Sequence, residues 1–285
     1  MTAMNLLPAK QQLIFKLFCL IFCIFIASCA TNNVASSGTT NAQTVTSSSG
    51  RTDVATESDE PESRKRARVR MELALGYFEQ GKTEIALDEL KQALSSDPMF
   101  GDAYTLRGLV YLRLNDRNLA EDSFRRALNI NPRDGNAAHN YGWLLCQERR
   151  YEDSQKLFEQ AASNPLYSDR AKTYLARGIC YSRAGDDERA ERALGRAFEV
   201  DAGNPVAGYN LATLLFRRGD YARAQFYLKR LNASEDANEE TLWLGAKAEM
   251  RLNNPAAANE LGAQLVRKYP KSRQAQSYQR RAFSE

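Results

Sequence analysis

Histidine is almost missing from this chain, with His139 alone among 285 residues. Metal sites built on several imidazoles are therefore excluded, and little material is left for general acid–base chemistry. A large excess of one charge is missing too. The formal net charge is +4, which makes no case for nucleic acid as a partner. No glycine-rich loop follows a strand to cradle a phosphate, and no strand pattern is evident. Nothing in this inventory implies a cofactor, a metal or a small-molecule substrate, and the chain does not read as an enzyme. Large apolar side chains are scarce from Ala30 to Ser63, a stretch of Ser, Thr, Asn, Ala and Gly. Such a segment cannot bury enough surface to offset its chain entropy.

The N-terminus does hold a greasy stretch. The first sixteen residues carry Lys10 and Lys16 and no acid, and Leu17 to Ile26 is wholly apolar. A positive start, a short apolar core and then small residues make a secretory signal. The core falls short of the roughly 20 apolar residues that span a bilayer. Ile26-Ala27-Ser28-Cys29 resembles the lipobox of bacterial lipoproteins, in which the cysteine is acylated and the chain is cut before it. Two or three acyl chains anchor a protein stably where one does not. The plainer readings are an ordinary cleaved signal with a chance cysteine, or an uncleaved anchor. Ala30, rather than Asp, follows the cysteine, which by analogy with enteric sorting favours the outer membrane, on its periplasmic face. Cleavage would remove two lysines and no acid, leaving a net charge of +2, with Cys29, Cys146 and Cys180 retained. The expected organisation is a signal at 1–28, a lipidated cysteine and flexible linker at 29–63, and a folded body at 64–285. The 34 residues from Ala30 to Ser63 would span on the order of 30 Å as a coil.

From Ala67 the chain repeats. Blocks start near Ala67, Gly101, Gly135, Ala171, Pro205 and Asn238, in steps of 34, 34, 36, 34 and 33 residues. The eighth position is always small: Ala74, Gly108, Gly142, Gly178, Ala212 and Gly245. The twentieth is small as well, from Ala86 and Ala120 to Ser154, Ala190, Ala224 and Ala257. The twenty-fourth is a large plug: Leu90, Phe124, Phe158, Leu194, Leu228 and Leu261. Glycine inside a helix costs about 1 kcal/mol relative to alanine, so four at one offset point to two helices in close approach. The period and the offsets predict an all-α tetratricopeptide-repeat superhelix. About six helix-turn-helix units are expected, near 67–100, 101–134, 135–170, 171–204, 205–237 and 238–271, the last acting as a cap. The alternative is a helical bundle with accidental regularity.

Such superhelices hold partner segments on the side lined by the first helix of each unit. The positions expected there include Met71, Leu75 and Phe78, then Leu109 and Leu112, His139 and Trp143, and Leu175 and Ile179. A contiguous apolar face marks an interaction site. Otherwise the end of the linker or a rotated helix covers it. Arg64, Lys65, Arg66, Arg68 and Arg70 form either a solvated face or a contact for anionic headgroups. Cys146 and Cys180 sit on first helices of neighbouring units. They are either a disulfide, which an exported chain permits, or two small core residues. His139 and Cys146 also lie seven residues apart on one helix face, as a nucleophile pair would, but no orienting acid accompanies them.

Asn140-Tyr141-Gly142-Trp143-Leu144-Leu145-Cys146, with Arg150-Tyr151 and then Asn164-Pro165-Leu166-Tyr167, resembles the type IV pilus biogenesis and stability lipoproteins. Asp220-Tyr221, Leu228 and Leu242-Trp243-Leu244-Gly245 fit the same pattern. The resemblance implies an outer-membrane lipoprotein with six repeats that acts as a pilotin. It would promote localisation or multimerisation of the pilus secretin, on which twitching motility depends. A general periplasmic scaffold, for barrel assembly or recruitment of cell-wall hydrolases, is the other reading.

Overall fold

The computed structural model describes residues 59–283; the leader, Cys29 and most of the linker lie outside them. Thirteen α-helices and no strand occur among the described residues. The first hairpins are α1 (Glu62–Glu79) with α2 (Thr83–Ser96), α3 (Gly101–Arg113) with α4 (Arg117–Ile130), and α5 (Gly135–Gln147) with α6 (Tyr151–Ser163). Then come α7 (Arg170–Ala184) with α8 (Asp187–Val200), α9 (Pro205–Arg217) with α10 (Tyr221–Asn232), and α11 (Glu239–Arg251) with α12 (Pro255–Lys268). A short α13 (Arg273–Gln279) closes the series. The fold is the tetratricopeptide superhelix that the period predicts. One boundary differs: α1 opens at Glu62, so Glu62 and Ser63, assigned to the linker, are helical.

Local chemistry sets the starts and turns. Asp116 accepts from the Leu119 amide at 3.0 Å, and Asp134 caps α5 through the Asn136 and Ala137 amides. Asp186, Asn204, Asp220 and Asn238 do the same for α8 to α11. Each such cap contributes about 1 kcal/mol. Every hairpin turn places one residue in the left-handed region: Gly81, Asn115, Arg149, Gly185, Gly219 and Asn253, with φ from 57° to 83°.

Within a hairpin, the small eighth position receives the plug at the twenty-fourth. A Cβ on Gly108 would sit 2.5 Å from the Phe124 ring, and one on Gly142 would sit 3.0 Å from Phe158. The twentieth position stays buried in the first five units, and in the third it is Ser154. That hydroxyl donates to the Gly142 carbonyl at 2.7 Å, so a polar atom is tolerated there because it has a partner.

Successive first helices touch along the whole array, α1 to α3, α3 to α5 and onward to α11. Successive second helices keep their backbones farther apart and meet only through long side chains, as where Phe198 of α8 packs edge-on against Tyr227 of α10, ring centroids 5.1 Å apart. First helices therefore form the shorter, inner side of the curve. At the far end α13 packs on α11 and α12 as the first helix of an unfinished unit. Tyr278 lies over Gly262, where a Cβ would come within 1.9 Å of its ring. Phe283 then folds back against Trp243, ring centroids 5.2 Å apart.

Candidate interaction surface

The nine residues expected on the inner side do not share one environment. Leu75 is 42% exposed. Met71, Phe78, Leu109, Leu112, Trp143, Leu175 and Ile179 are half-buried. Leu109 packs into the cores of both the first and the second unit. Leu175 and Ile179 belong to the core of units four to six. His139 is a correction to the expected lining: it is 5% exposed, so it lies between α5 and α7 and faces no groove. Its Nδ1 lies 2.8 Å from the Thr173 hydroxyl. Burial pushes its pKa down to about 4, with Lys172 adding to the effect and Asp169 opposing it.

The aromatic members are roofed by arginines from the next unit. The Arg113 guanidinium stands 3.6 Å from the centroid of Phe78 and also donates to the Phe78 carbonyl. Arg183 stands 5.1 Å from Trp143. In unit five the equivalent Arg217 reaches back to the Ser182 hydroxyl at 3.2 Å and to Asp187. Each thirteenth-position arginine thus ties its unit to the one before, at about 0.5–1 kcal/mol per exposed cation–π contact. The surface is a row of half-buried apolar side chains overlaid by guanidinium groups, rather than a bare greasy channel. Of the nine, only Leu75, on the first helix, stands clear.

Cys146 and Cys180 are joined as a disulfide between α5 and α7, with Cα atoms 5.8 Å apart. The nucleophile pairing of His139 with Cys146 is thereby ruled out, since the sulfur is bonded to Cys180 and the imidazole to Thr173. Beside the disulfide a cleft of 410 Å³ is lined by Gln147, Arg149, Tyr151 and Arg183. Arg149, the only non-Gly, non-Asn residue at a left-handed hairpin turn among the described units, faces it.

The rest of the motif residues turn inward. Tyr141 donates to Glu121 on α4 at 2.6 Å, and Arg150 pairs with the other Glu121 oxygen at 2.8 Å. Burial and then the Glu121 carboxylate push Tyr141 up to about 12. Leu144 and Leu145 are fully buried. The longer step between units three and four is the Asn164 turn. Asn164 donates to the Arg133 carbonyl at 2.7 Å and accepts from the Leu166 amide at 3.0 Å. The inserted length sends Tyr167 beneath the start of α5, where a Cβ on Gly135 would meet its ring at 2.6 Å. Leu166 is left 92% exposed. Nothing in the repeat offsets signals this outward leucine; the extra residues in the third step are the only trace of it.

Two segments, 71–138 and 181–250, match models of the tetratricopeptide repeat. The chain is 27% identical over 209 residues to the type IV pilus assembly protein PilF of Pseudomonas aeruginosa, covering 73% of this chain and 83% of that protein. The solved structure of Pseudomonas aeruginosa PilF superposes with a TM-score of 0.69 at 25% identity, covering 78% of this chain and all of that one. The crystal structure of PilW, described as a widely conserved type IV pilus biogenesis factor, superposes with a TM-score of 0.67. It is 31% identical, over 74% of this chain and 97% of PilW.

Proposed function

Because the chain belongs to the tetratricopeptide-repeat type IV pilus biogenesis factors typified by PilF and PilW, we propose that it is the pilotin of a pilus secretin. In this reading Cys29 carries the lipid and moors the protein to the periplasmic face of the outer membrane. The linker lets the solenoid search for its partner. The inner side of α1 and α3 then takes up a segment of the secretin and promotes its localisation and multimerisation. The observation that carries the reading is the 31% identity to PilW across nearly the whole of that protein. The array supplies the means. Met71, Leu75, Phe78, Leu109 and Leu112 bring apolar surface from neighbouring helices to one side, and burying a side chain of that size is worth about 1.5–3 kcal/mol.

Two experiments test it. Deleting the gene should abolish twitching and leave the secretin monomeric or mislocalised, whereas intact pili with a damaged envelope would favour the general periplasmic scaffold. Leu75→Asp should cut secretin capture at least tenfold with helix content unchanged, because Leu75 is exposed and surface changes alter stability by roughly 0.5 kcal/mol or less. Undiminished capture would remove the inner side of α1 from the proposal. Leu109 is the poorer probe, since it is built into two cores.

A further inference from the structure

The closing end of the array carries a basic patch with no ion pair among the described residues. Arg267 and Lys268 end α12, Lys271 and Arg273 flank the start of α13, and Arg280 and Arg281 follow its end. From Leu261 to Ser284 the sequence has no acidic residue. All six cations are exposed, and none of their side chains has an ion pair or hydrogen bond among the described residues. The basic cluster of α1 is arranged differently. There Arg64 pairs with Asp97, Lys65 with Glu62, Arg68 with Glu60 and Glu72, and Arg70 with Glu89. Four of its five cations are thus spent within the first unit, and Arg66 alone is exposed without an ion pair among the described residues.

The terminal patch is held in place. Ala275 and Ser277 are buried, Tyr278 is seated on Gly262, and Phe283 packs on Trp243. Arg273 and Arg280, seven residues apart and so on one side of the turn, are both exposed. No large apolar residue from Leu261 onward is exposed. A protein partner is normally held by a buried aromatic or aliphatic anchor at the centre of its interface, and this patch offers none. It offers point charges on long side chains, which read surface charge density; clusters of four to eight Lys/Arg of this kind bind anionic lipid.

We propose that the C-terminal cap is a docking surface for anionic phospholipid headgroups, a second membrane contact besides the acyl anchor. It rests on the reading that Cys29 moors the chain to a membrane. The test uses the full mature chain with Cys29→Ala, sedimented with phosphatidylcholine vesicles with and without phosphatidylglycerol. Binding should require phosphatidylglycerol and fade with added salt, as screening demands. Lys268→Gln, Lys271→Gln and Arg280→Gln together should weaken it about a hundredfold, at about fivefold per cation. The same loss of charge at Arg125, Arg133 and Arg192, exposed in earlier units, should change it less than about threefold. Equal loss in both triple variants, or binding indifferent to phosphatidylglycerol, would overturn the proposal. So would capture by an acidic peptide without any vesicle binding. Acyl labelling of the wild-type chain separates the two readings, since an unlabelled Cys29 defeats the anchor and leaves the vesicle result standing.

Discussion

One methyl group added at two helix glycines should have opposite effects. Gly108 and Gly195 both sit inside helices, α3 and α8. Alanine favours a helix interior over glycine by about 1 kcal/mol. At Gly195 the new Cβ meets nothing within 4 Å, so Gly195→Ala should stabilise by about 0.5–1 kcal/mol. At Gly108 the Cβ falls 2.5 to 2.7 Å from three atoms of the Phe124 ring, and that ring is fully buried. Overpacking of this kind costs about 1–3 kcal/mol, so Gly108→Ala should destabilise by up to about 2 kcal/mol after the helix gain. Units one and five show the remedy, because they pair Ala74 with Leu90 and Ala212 with Leu228, all buried. Phe124→Leu alone leaves space and costs about 1 kcal/mol or more. Combined with Gly108→Ala it recreates the pairing of units one and five. Urea unfolding of the four proteins of this cycle should therefore give a coupling of at least about 1 kcal/mol. Strict additivity, or a stabilising Gly108→Ala, would refute the account of why the eighth position is small.

Two further outcomes follow from the junction of units three and four. His139 is neutral when folded, with its pKa near 4, and titrates near 6.5 when unfolded. Between those values the unfolded chain holds the additional proton, so its contribution is complete above about pH 6.5 and is lost as pH falls towards 4, up to about 3 kcal/mol. Melting curves of His139→Gln should show a shallower pH slope than wild type, and an equal slope would refute it. The disulfide closes a loop of 34 residues, for which chain entropy gives at most about 4 kcal/mol. Cys146→Ser with Cys180→Ser should lower the urea midpoint accordingly, and an unchanged midpoint would show that packing alone fixes α5 on α7.

Periodicity made the hairpins legible because each must place the same small and large residues at the same offsets. It says less about contacts between units. The arginines over Phe78 and Trp143 come from the thirteenth position of the following repeat, a place where a charged residue reads as solvent-facing. His139 misled for the same reason. Its offset is buried in units two and six as well, at Thr105 and Leu242, and here the Thr173 hydroxyl of the next first helix closes over the ring. Arg149 occupies a left-handed turn that only glycine or asparagine would have announced. In α13 only seven residues are helical, too few for a repeat offset to recur. Its docking runs through Tyr278 on Gly262 and through buried Ala275, contacts that no recurring offset announces.

The residues that carry the resemblance to the pilus factors have a common fate. Tyr141 and Arg150 grip Glu121, Gly142 admits Phe158, Cys146 is cross-linked, and Tyr167 fills the space under Gly135. They lock unit three onto its neighbours on both sides, and of the motif residues only Arg150, Pro165 and Leu166 are exposed. Substitutions within the motif should therefore impair function by loosening units three and four. Partner contacts are better sought on side chains the motif does not contain, Leu75 first among them. Suppression separates the two cases. A mild motif variant such as Tyr167→Phe, which gives up the hydrogen bond from Thr173 at about 0.5–1.5 kcal/mol, should regain lost secretin assembly when Gly195→Ala restores stability, whereas Leu75→Asp should not. Equal rescue of both would mean that the inner side of α1 matters for stability and not for contact.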